Sequence, residues 1–352
     1  MQNKIKTALL SYGMSGWVFH EPFISIHPGF EFYAVLERTK NLAAAKHPGI
    51  LTYRSLEELL GEGEIDLVIV NTPNSTHFDF ARKALEAGKH VVVEKPFTAS
   101  VLQADELIQL AEKKGKVLTV FQNRRWDSDF KTVSNMVQTG LLGKIVEAEI
   151  HYDRYNPMLS AKVHKETPGA GIGTIYDLGS HIIDQALQLF GMPQAVFADL
   201  EMLRPGSQID DYFEILLYYP SLRVRLRSSY LVREPLPAYV LHGTKGSFLK
   251  QRSDTQELRL QAHETPDAPD WGREAEPADG LLHTEVDGAV VKEHVTTEPG
   301  NYLAFYNSLH KAITEGAPAP VLTTEARNVI SIIELALESN RQRKVIQVES
   351  SK

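Results

Sequence analysis

Thr7-Ala8-Leu9-Leu10-Ser11-Tyr12-Gly13-Met14-Ser15-Gly16 is the stretch on which the fold turns. A short apolar run passes directly into a glycine turn, and a run of helical period follows. Ser11 to Gly16 keeps the spacing of the G-x-G-x-x-G fingerprint, with serine in place of its first glycine. In that motif the glycine at Gly13 lets backbone approach a pyrophosphate, the one at Gly16 lets the next helix pack close to the strand, and amides at the helix start face the anion. The placement between a β-run and a helical run favours a dinucleotide-binding turn over an ordinary one.

Outward from this turn, residues 7–10, 30–35, 67–71, 90–93 and 117–121 read as strands, and 55–60, 75–86 and 100–114 carry apolar residues at helical spacing. Ser55, Ser75 and Ser100 stand where N-caps belong, and Gly88 and Gly115 where helices stop. This alternation predicts βαβ units and a parallel sheet, an α/β fold. Beyond Arg124 the rhythm changes: 145–152, 194–201, 212–218, 223–230 and 238–242 read as an antiparallel set. Two domains follow, 1–122 and 123–352. Residues 265–285, rich in Pro, Asp, Glu and Gly, show no usable period and are expected to be a surface excursion or lid. Helices over 301–314 and 324–338 close the chain.

The bulk numbers bound the function. A chain of 352 residues is too long for one core. Hydrophobic residues at 43% and charged residues at 23% describe an ordinary globular protein, and a net charge of −8 argues against phosphate backbones and anionic lipid as partners. With no cysteine, disulfides, thiolate nucleophiles and cysteine-ligated zinc all drop out. No apolar run approaches the roughly eighteen residues that a membrane span needs. The N-terminus reads as a first strand and not as a signal peptide, so a cytoplasmic location is the expectation.

Three further segments carry chemistry. The second strand ends in Leu36-Glu37-Arg38-Thr39-Lys40, where Glu37 suits a ribose and Arg38, Thr39 and Lys40 suit a 2′-phosphate. That favours NADP over NAD as cofactor, against the plain reading of a solvated charge run. Glu94-Lys95-Pro96 ends the fourth of these strands, where ligands of an open parallel sheet sit, so Lys95 would point at what lies over the cofactor. After the glycine run 169–173, a helix would place Asp177, His181 and Asp184 at i, i+4 and i+7 on one polar face. A histidine there suits the proton exchange of an alcohol oxidation, whereas a structural His and Asp are the plain alternative. No third strong ligand stands at a diagnostic spacing, so no metal is expected.

These residues resemble the glucose-fructose oxidoreductase / inositol dehydrogenase (Gfo/Idh/MocA) family over essentially the whole chain. The glycine turn, Thr72-Pro73-Asn74 with His77, Glu94-Lys95-Pro96 and Asp177-x-Gly179-x-His181 all match. Within it, Phe19-His20, Asn123-Arg124-Arg125-Trp126-Asp127 and Asp153-Arg154-Tyr155 are similar to the branch of NADP-dependent scyllo-inositol dehydrogenases. The resemblance implies an N-terminal Rossmann domain and a C-terminal α/β domain with a large open, mostly antiparallel sheet, whose outer face makes a homodimer or homotetramer. It implies Lys95, Asp177 and His181 as the catalytic trio, with a cis Lys95–Pro96 bond. Tyr12, Gly13, Met14, Ser15, Gly16, Glu37, Arg38, Thr39, Asn71, Thr72, Pro73, Asn74, His77, Glu94, Lys95, Pro96 and Asn123 would line the cofactor. Arg125, Trp126, Tyr155 and Lys165 would join Asp177 and His181 around a cyclitol, polyol or sugar, although Trp126 also fits the core and Arg124 with Arg125 also fit an interdomain ion pair. Asn156 stands where the inositol branch leads one to expect arginine, which leaves the substrate open. An NAD-dependent glycoside hydrolase and a dinucleotide-sensing regulator are the competing functions on this fold.

Overall fold

The computed structural model describes residues 4–274 and 279–349. The chain divides into two units: everything up to Asn123 with Gln256–Trp271 and Asn301–Arg327, and Arg124–Thr255 with Gly272–Gly300 and the chain from Asn328 onward.

In the first unit six parallel strands, β1 (Ile5–Leu9), β2 (Phe30–Leu36), β3 (Leu51–Tyr53), β4 (Leu67–Val70), β5 (His90–Glu94) and β6 (Leu118–Phe121), lie in the order β3-β2-β1-β4-β5-β6. Leu67 to Val70 and Val91 to Val93 have no exposed surface, which explains their unbroken apolar runs: parallel strands are covered on both faces. The strand order reverses between β1 and β4, so the ends of β1, β4 and β5 flank a topological switch point. Ser55 builds a complete capping box with Glu58, and Ser100 accepts from Gln103 N–H. Ser75 is not a cap. It lies inside a 3-10 turn, Asn74–Thr76, and the helix His77–Glu86 starts behind it without a side-chain cap.

Two later segments complete this unit. Helix Leu303–Glu315 buries Phe305, Tyr306 and Leu309, with Tyr306 stacked on Phe23 at 5.2 Å and Phe305 edge-on to Phe121 at 4.8 Å. The return through 256–271 sets His263 on Trp17 at 4.9 Å.

The second unit carries nine strands: β7 (Ile145–His151), β8 (Ala195–Glu201), β9 (Tyr212–Tyr218), β10 (Arg223–Ser229), β11 (Tyr239–Gly243), β12 (Gly246–Lys250), β13 (Gly280–Val286), β14 (Ala289–Val295) and β15 (Ile346–Gln347). Their order is β14-β13-β12-β11-β7-β10-β9-β8-β15. Every pair is antiparallel except β7 with β10, so the sheet is mostly antiparallel, as expected, with one parallel pair near its middle. Residues 265–285 are no lid along their whole length: Gly280–Val286 is a strand of this sheet, with Leu282 and Thr284 buried. Residues 275–278 of that stretch lie outside the described residues. Among the described residues no helix is long and apolar enough to cross a membrane.

Candidate active site

In the first unit the cofactor candidates at the ends of β1, β4 and β5 are tied to one another. Gly13 N–H donates to Ser11 Oγ at 3.1 Å, so the serine that replaces the first glycine closes the turn with its own hydroxyl. Asn71 Nδ2 donates to Ser11 O at 2.8 Å. A Cβ at Gly16 would stand 2.4 Å from Ser11 O and 3.1 Å from Asn71 Nδ2, so only glycine lets the helical run pass this close to β1. That run opens as a π turn, Gly16–His20, before continuing as the helix Glu21–Ile26. Such a turn is a known mark of functional sites.

Glu94 pins this π turn. Its Oε1 accepts from Ser15 Oγ at 2.6 Å and faces His20 Nε2 at 3.0 Å, while Oε2 accepts from Lys95 N–H at 3.2 Å. Burial alone would raise its pKa, but the His20 and Ser15 donors hold the carboxyl below its ordinary range. His20 Nδ1 meets Tyr306 Oη at 2.8 Å, and that hydroxyl donates to Phe19 O at 2.7 Å. His77, expected among the cofactor contacts, faces Pro96 O at 2.8 Å and Thr72 O at 2.9 Å with its two ring nitrogens and is 1% exposed. It is a strut between the end of β4 and the Lys95–Pro96 peptide, which is cis. Burial lowers its pKa. Thr72 Oγ1 is paired with Thr76 Oγ1 at 2.6 Å; Pro73 and Met14 are exposed and Asn74 is half-buried. Tyr12 turns inward against Phe32, leaving the site only its backbone; Asn123 is buried. Lys95 is half-buried.

On the adenosine side Glu37 does not face outward for a ribose. Its two oxygens accept Leu42 N–H and Ala43 N–H, both at 3.0 Å, capping the helix Leu42–Lys46. Arg38, Thr39 and Lys40 are exposed, and Arg54 fixes their loop by donating to Glu37 O and Lys40 O at 2.6 Å. Asn71 Oδ1 is a buried acceptor with no hydrogen-bond partner at the switch point. The cradle that a Cβ would fill, this orphaned acceptor and the exposed cationic loop together fit a dinucleotide.

The second unit holds a parallel arrangement. Gly173 has φ +123°, and a Cβ there would stand 2.0 Å from Asp210 Oδ1. Behind it Ile175–Gly179 forms another π turn, continued by the helix Ser180–Phe190. Asp210 holds its start: Oδ2 accepts Ile175 N–H at 2.8 Å, and its carbonyl accepts Thr174 N–H at 3.1 Å and Thr174 Oγ1 at 2.8 Å. Burial pushes the Asp210 carboxyl up to about 6.

Asp177 lies in the π turn, with Lys165 Nζ at 3.9 Å from its Oδ2. His181 is 4% exposed, with its ring 6.1 Å from that of Tyr152. Asp184 leaves the expected polar face: it takes Arg125 bidentately, with Nε to Oδ2 at 2.8 Å and Nη2 to Oδ1 at 2.6 Å. Arg125 is therefore paired with a carboxylate of its own unit. Tyr155 is exposed beneath Arg233 at 4.0 Å, and Trp126 is half-buried. Of the candidate residues, Asp177 and Lys165 are brought together and His181 lies on the same helical run. Asp210, Arg54 and Tyr306 are the groups that sequence reasoning missed; each acts through a long-range hydrogen bond that no local motif announces.

The comparisons agree with this anatomy. Residues 5–122 match the model of an oxidoreductase family's NAD-binding Rossmann fold, and 134–348 match that family's C-terminal α/β domain. The chain is 41% identical to the uncharacterized oxidoreductase YdgJ of Escherichia coli, over 97% of this chain and 98% of the relative. It is 37% identical to the scyllo-inositol 2-dehydrogenase (NADP(+)) IolW of Bacillus subtilis, over 98% of this chain and 96% of the relative. A crystal structure of an oxidoreductase from Bacillus cereus superposes with a TM-score of 0.90 at 32% identity, covering 99% of this chain and all 100% of the other. The glycine cradle of the first unit and the Asp177–His181 helix of the second thus belong to an NAD(P)-binding oxidoreductase of the Gfo/Idh/MocA family.

Proposed function

We propose that this oxidoreductase moves a hydride between NADP and a hydroxyl-bearing carbon of a cyclitol, polyol or sugar. The observation that carries the reading is the helix start of the second unit, where a carboxylate with an ammonium 3.9 Å away stands in the same run as a buried imidazole. Hydroxyl oxidation requires that arrangement: a base for the leaving proton and polar groups to hold the substrate's other hydroxyls. His181 takes the hydroxyl proton or returns it when a ketone is reduced, Asp177 and Lys165 orient the substrate, and Lys95 is assigned to the same reaction. The bound nicotinamide supplies the hydride acceptor or donor.

The preference for NADP rests on charge. Glu37 is occupied as a helix cap, whereas Arg38 and Lys40 are exposed on a loop that Arg54 holds in shape. An anionic 2′-phosphate would meet cations there and no free carboxylate. The relative named scyllo-inositol 2-dehydrogenase (NADP(+)) supports both the cofactor and the substrate class.

The test is an absorbance screen at the reduced-nicotinamide band with cyclitols and aldoses, run with NADP and with NAD. Net cofactor reduction by a polyol is expected, and a glycosidase would give none. His181→Ala should lower kcat by about 10²–10⁴-fold, the usual worth of an acid/base group. Full turnover by that variant would remove His181 from the mechanism. We also assign a second copy of the chain to the outward face of the nine-stranded sheet, where Arg225 lies between Glu149 and Glu214 while its strand neighbours Val224 and Leu226 are buried. Sedimentation as a monomer at micromolar concentration would refute that assignment.

A further inference from the structure

From Tyr155 to Ala170 every residue whose exposure is described is exposed, except Glu166. Met158 is 80% exposed, so packing does not fix this segment. Behind its end lies a hollow of about 330 Å³ bordered by Gly169, Ile172, Leu200, Asp210 and Asn340, so little packing supports it there either. The start of the segment is tied to the chain beyond β10, where Asn156 N–H donates to Tyr230 O at 2.7 Å, and its middle is gathered by one cation. Arg204, whose side chain is 1% exposed, donates from Nη2 to Glu166 Oε2 at 2.9 Å, and from Nη1 to Glu166 Oε1 at 3.3 Å and Met158 O at 3.1 Å. Glu166 Oε1 in turn accepts Ser160 N–H at 2.7 Å. Three points of the segment therefore refer to one guanidinium.

The other side of Arg204 is anchored just as firmly. Its Nε donates to Asp211 Oδ2 at 3.0 Å, the same carboxylate accepts Leu203 N–H and Arg204 N–H, and the guanidinium lies 4.8 Å over the Tyr230 ring. Asp211 follows directly on Asp210, which holds the first turn of the helix that bears Asp177 and His181. Lys165 is the neighbour of Glu166, and its ammonium faces Asp177. Two adjacent aspartates at the entrance to β9 thus fix the two sides of one pair, Asp210 the carboxylate side and Asp211, through Arg204, the ammonium side.

We infer that Arg204 is a positioning residue, which through Glu166 and Asp211 holds segment 155–170 so that Lys165 stands opposite Asp177. The inference rests on the reading of Asp177 and His181 as the reacting groups. Only a planar fork can serve Glu166, Met158 O and Asp211 at once; an ammonium cannot.

The experiment compares wild type, E166Q, R204K and K165M by limited trypsin digestion, by NADPH binding and by kinetics with scyllo-inositol and NADP. E166Q and R204K are expected to speed cleavage after Lys162 and Lys165 by about tenfold or more, since protease cuts what opens. KM should rise about tenfold with kcat within about threefold, the mark of a lost binding contact. K165M should reproduce the KM rise without opening the segment elsewhere, and NADPH affinity should be unchanged in all three. Cleavage rates equal to wild type in both E166Q and R204K would overturn the inference, as would a fall in kcat at constant KM. If the segment opens while E166Q and K165M keep wild-type kinetics, the hold by Arg204 stands and the substrate-site reading falls.

Discussion

Each unit presents a glycine that cannot carry a Cβ, a π turn and then an α-helix, and each π turn is held by one carboxylate, buried in the first unit and half-buried in the second. In the first unit these are Gly16, Gly16–His20 and Glu94; in the second they are Gly173, Ile175–Gly179 and Asp210. The difference lies in what surrounds the carboxylates. Glu94 meets Ser15, His20 and the Lys95 amide, and its pKa stays below the ordinary range. Asp210 is met by backbone amides, Ile175 N–H foremost, and burial outweighs them and pushes it up to about 6. The turn assigned to the cofactor is thus held by a charge that is constant near neutrality, and the turn assigned to the reacting groups by one that titrates there.

The largest expected effects come from closing either cradle. Gly173→Ala would force a side chain into a positive-φ conformation and set its Cβ at 2.0 Å from Asp210. Strain and clash together should destabilise the second unit by about 3 kcal/mol or more, and turnover should fall at least about a hundredfold. Gly16→Ala meets backbone at 2.4 Å and should weaken dinucleotide binding by a similar factor. Isothermal titration with NADPH separates the two: Gly173→Ala should keep its affinity and Gly16→Ala should lose it. If both variants lose affinity alike, the two cradles are not independent, and the comparison breaks.

The first cradle was legible in the sequence and the second was legible only in part. Ser11 to Gly16 is a local motif, and the strand before it buries both faces, so periodicity and spacing suffice. Spacing singles out Asp177 and His181 too, but Asp184 belongs to Arg125, and Asp210, which sets the turn, lies 35 residues beyond Ile175 with no pattern linking them. The β13–β14 hairpin is a different kind of miss. Asp287-Gly288 has φ of 51° and 80°, the positive values of a tight hairpin turn, and this dipeptide is a strong hairpin signal. The acidic, proline-bearing stretch before it drew the reading toward a loop. Glu37 shows the opposite error: a residue in the expected place, with its oxygens taken by a helix of only five residues that periodicity could not detect.

The next effect is a pH dependence confined to the second cradle. An acid whose folded-state pKa lies above its unfolded value holds more protons when folded. Its contribution to stability therefore falls as pH rises from about 4 to about 6, and the cost then persists above that. For Asp210, raised from 3.8 to about 6, the full swing is about 3 kcal/mol at most. Asn in its place still accepts Ile175 N–H and never ionises. Denaturation of wild type and Asp210→Asn across this range should show the wild type losing ground to the variant as pH rises. A constant difference between them would mean that Asp210 does not titrate in the folded protein over this window.

The smallest effect tests the first carboxylate. Glu94→Gln keeps the shape and an acceptor for Ser15, but it loses the charge opposite His20 and turns an amide toward the Lys95 N–H. One charge-assisted bond is lost and one donor faces another, so NADH affinity should fall by about tenfold, roughly 1.4 kcal/mol. The sign of the pH dependence is the sharper readout. A carboxylate with a depressed folded-state pKa gives its stabilisation in full above the ordinary carboxylate range and loses it only in acid, as pH falls through the depressed value. The wild-type to Glu94→Gln ratio of NADH dissociation constants should therefore stay level across the same window in which Asp210 swings. NADH is the right probe, because it lacks the 2′-phosphate that would titrate there itself. A ratio that moved with a midpoint near 6 would make the two carboxylates alike and remove the contrast between a constant charge under the cofactor turn and a titrating one under the reacting helix.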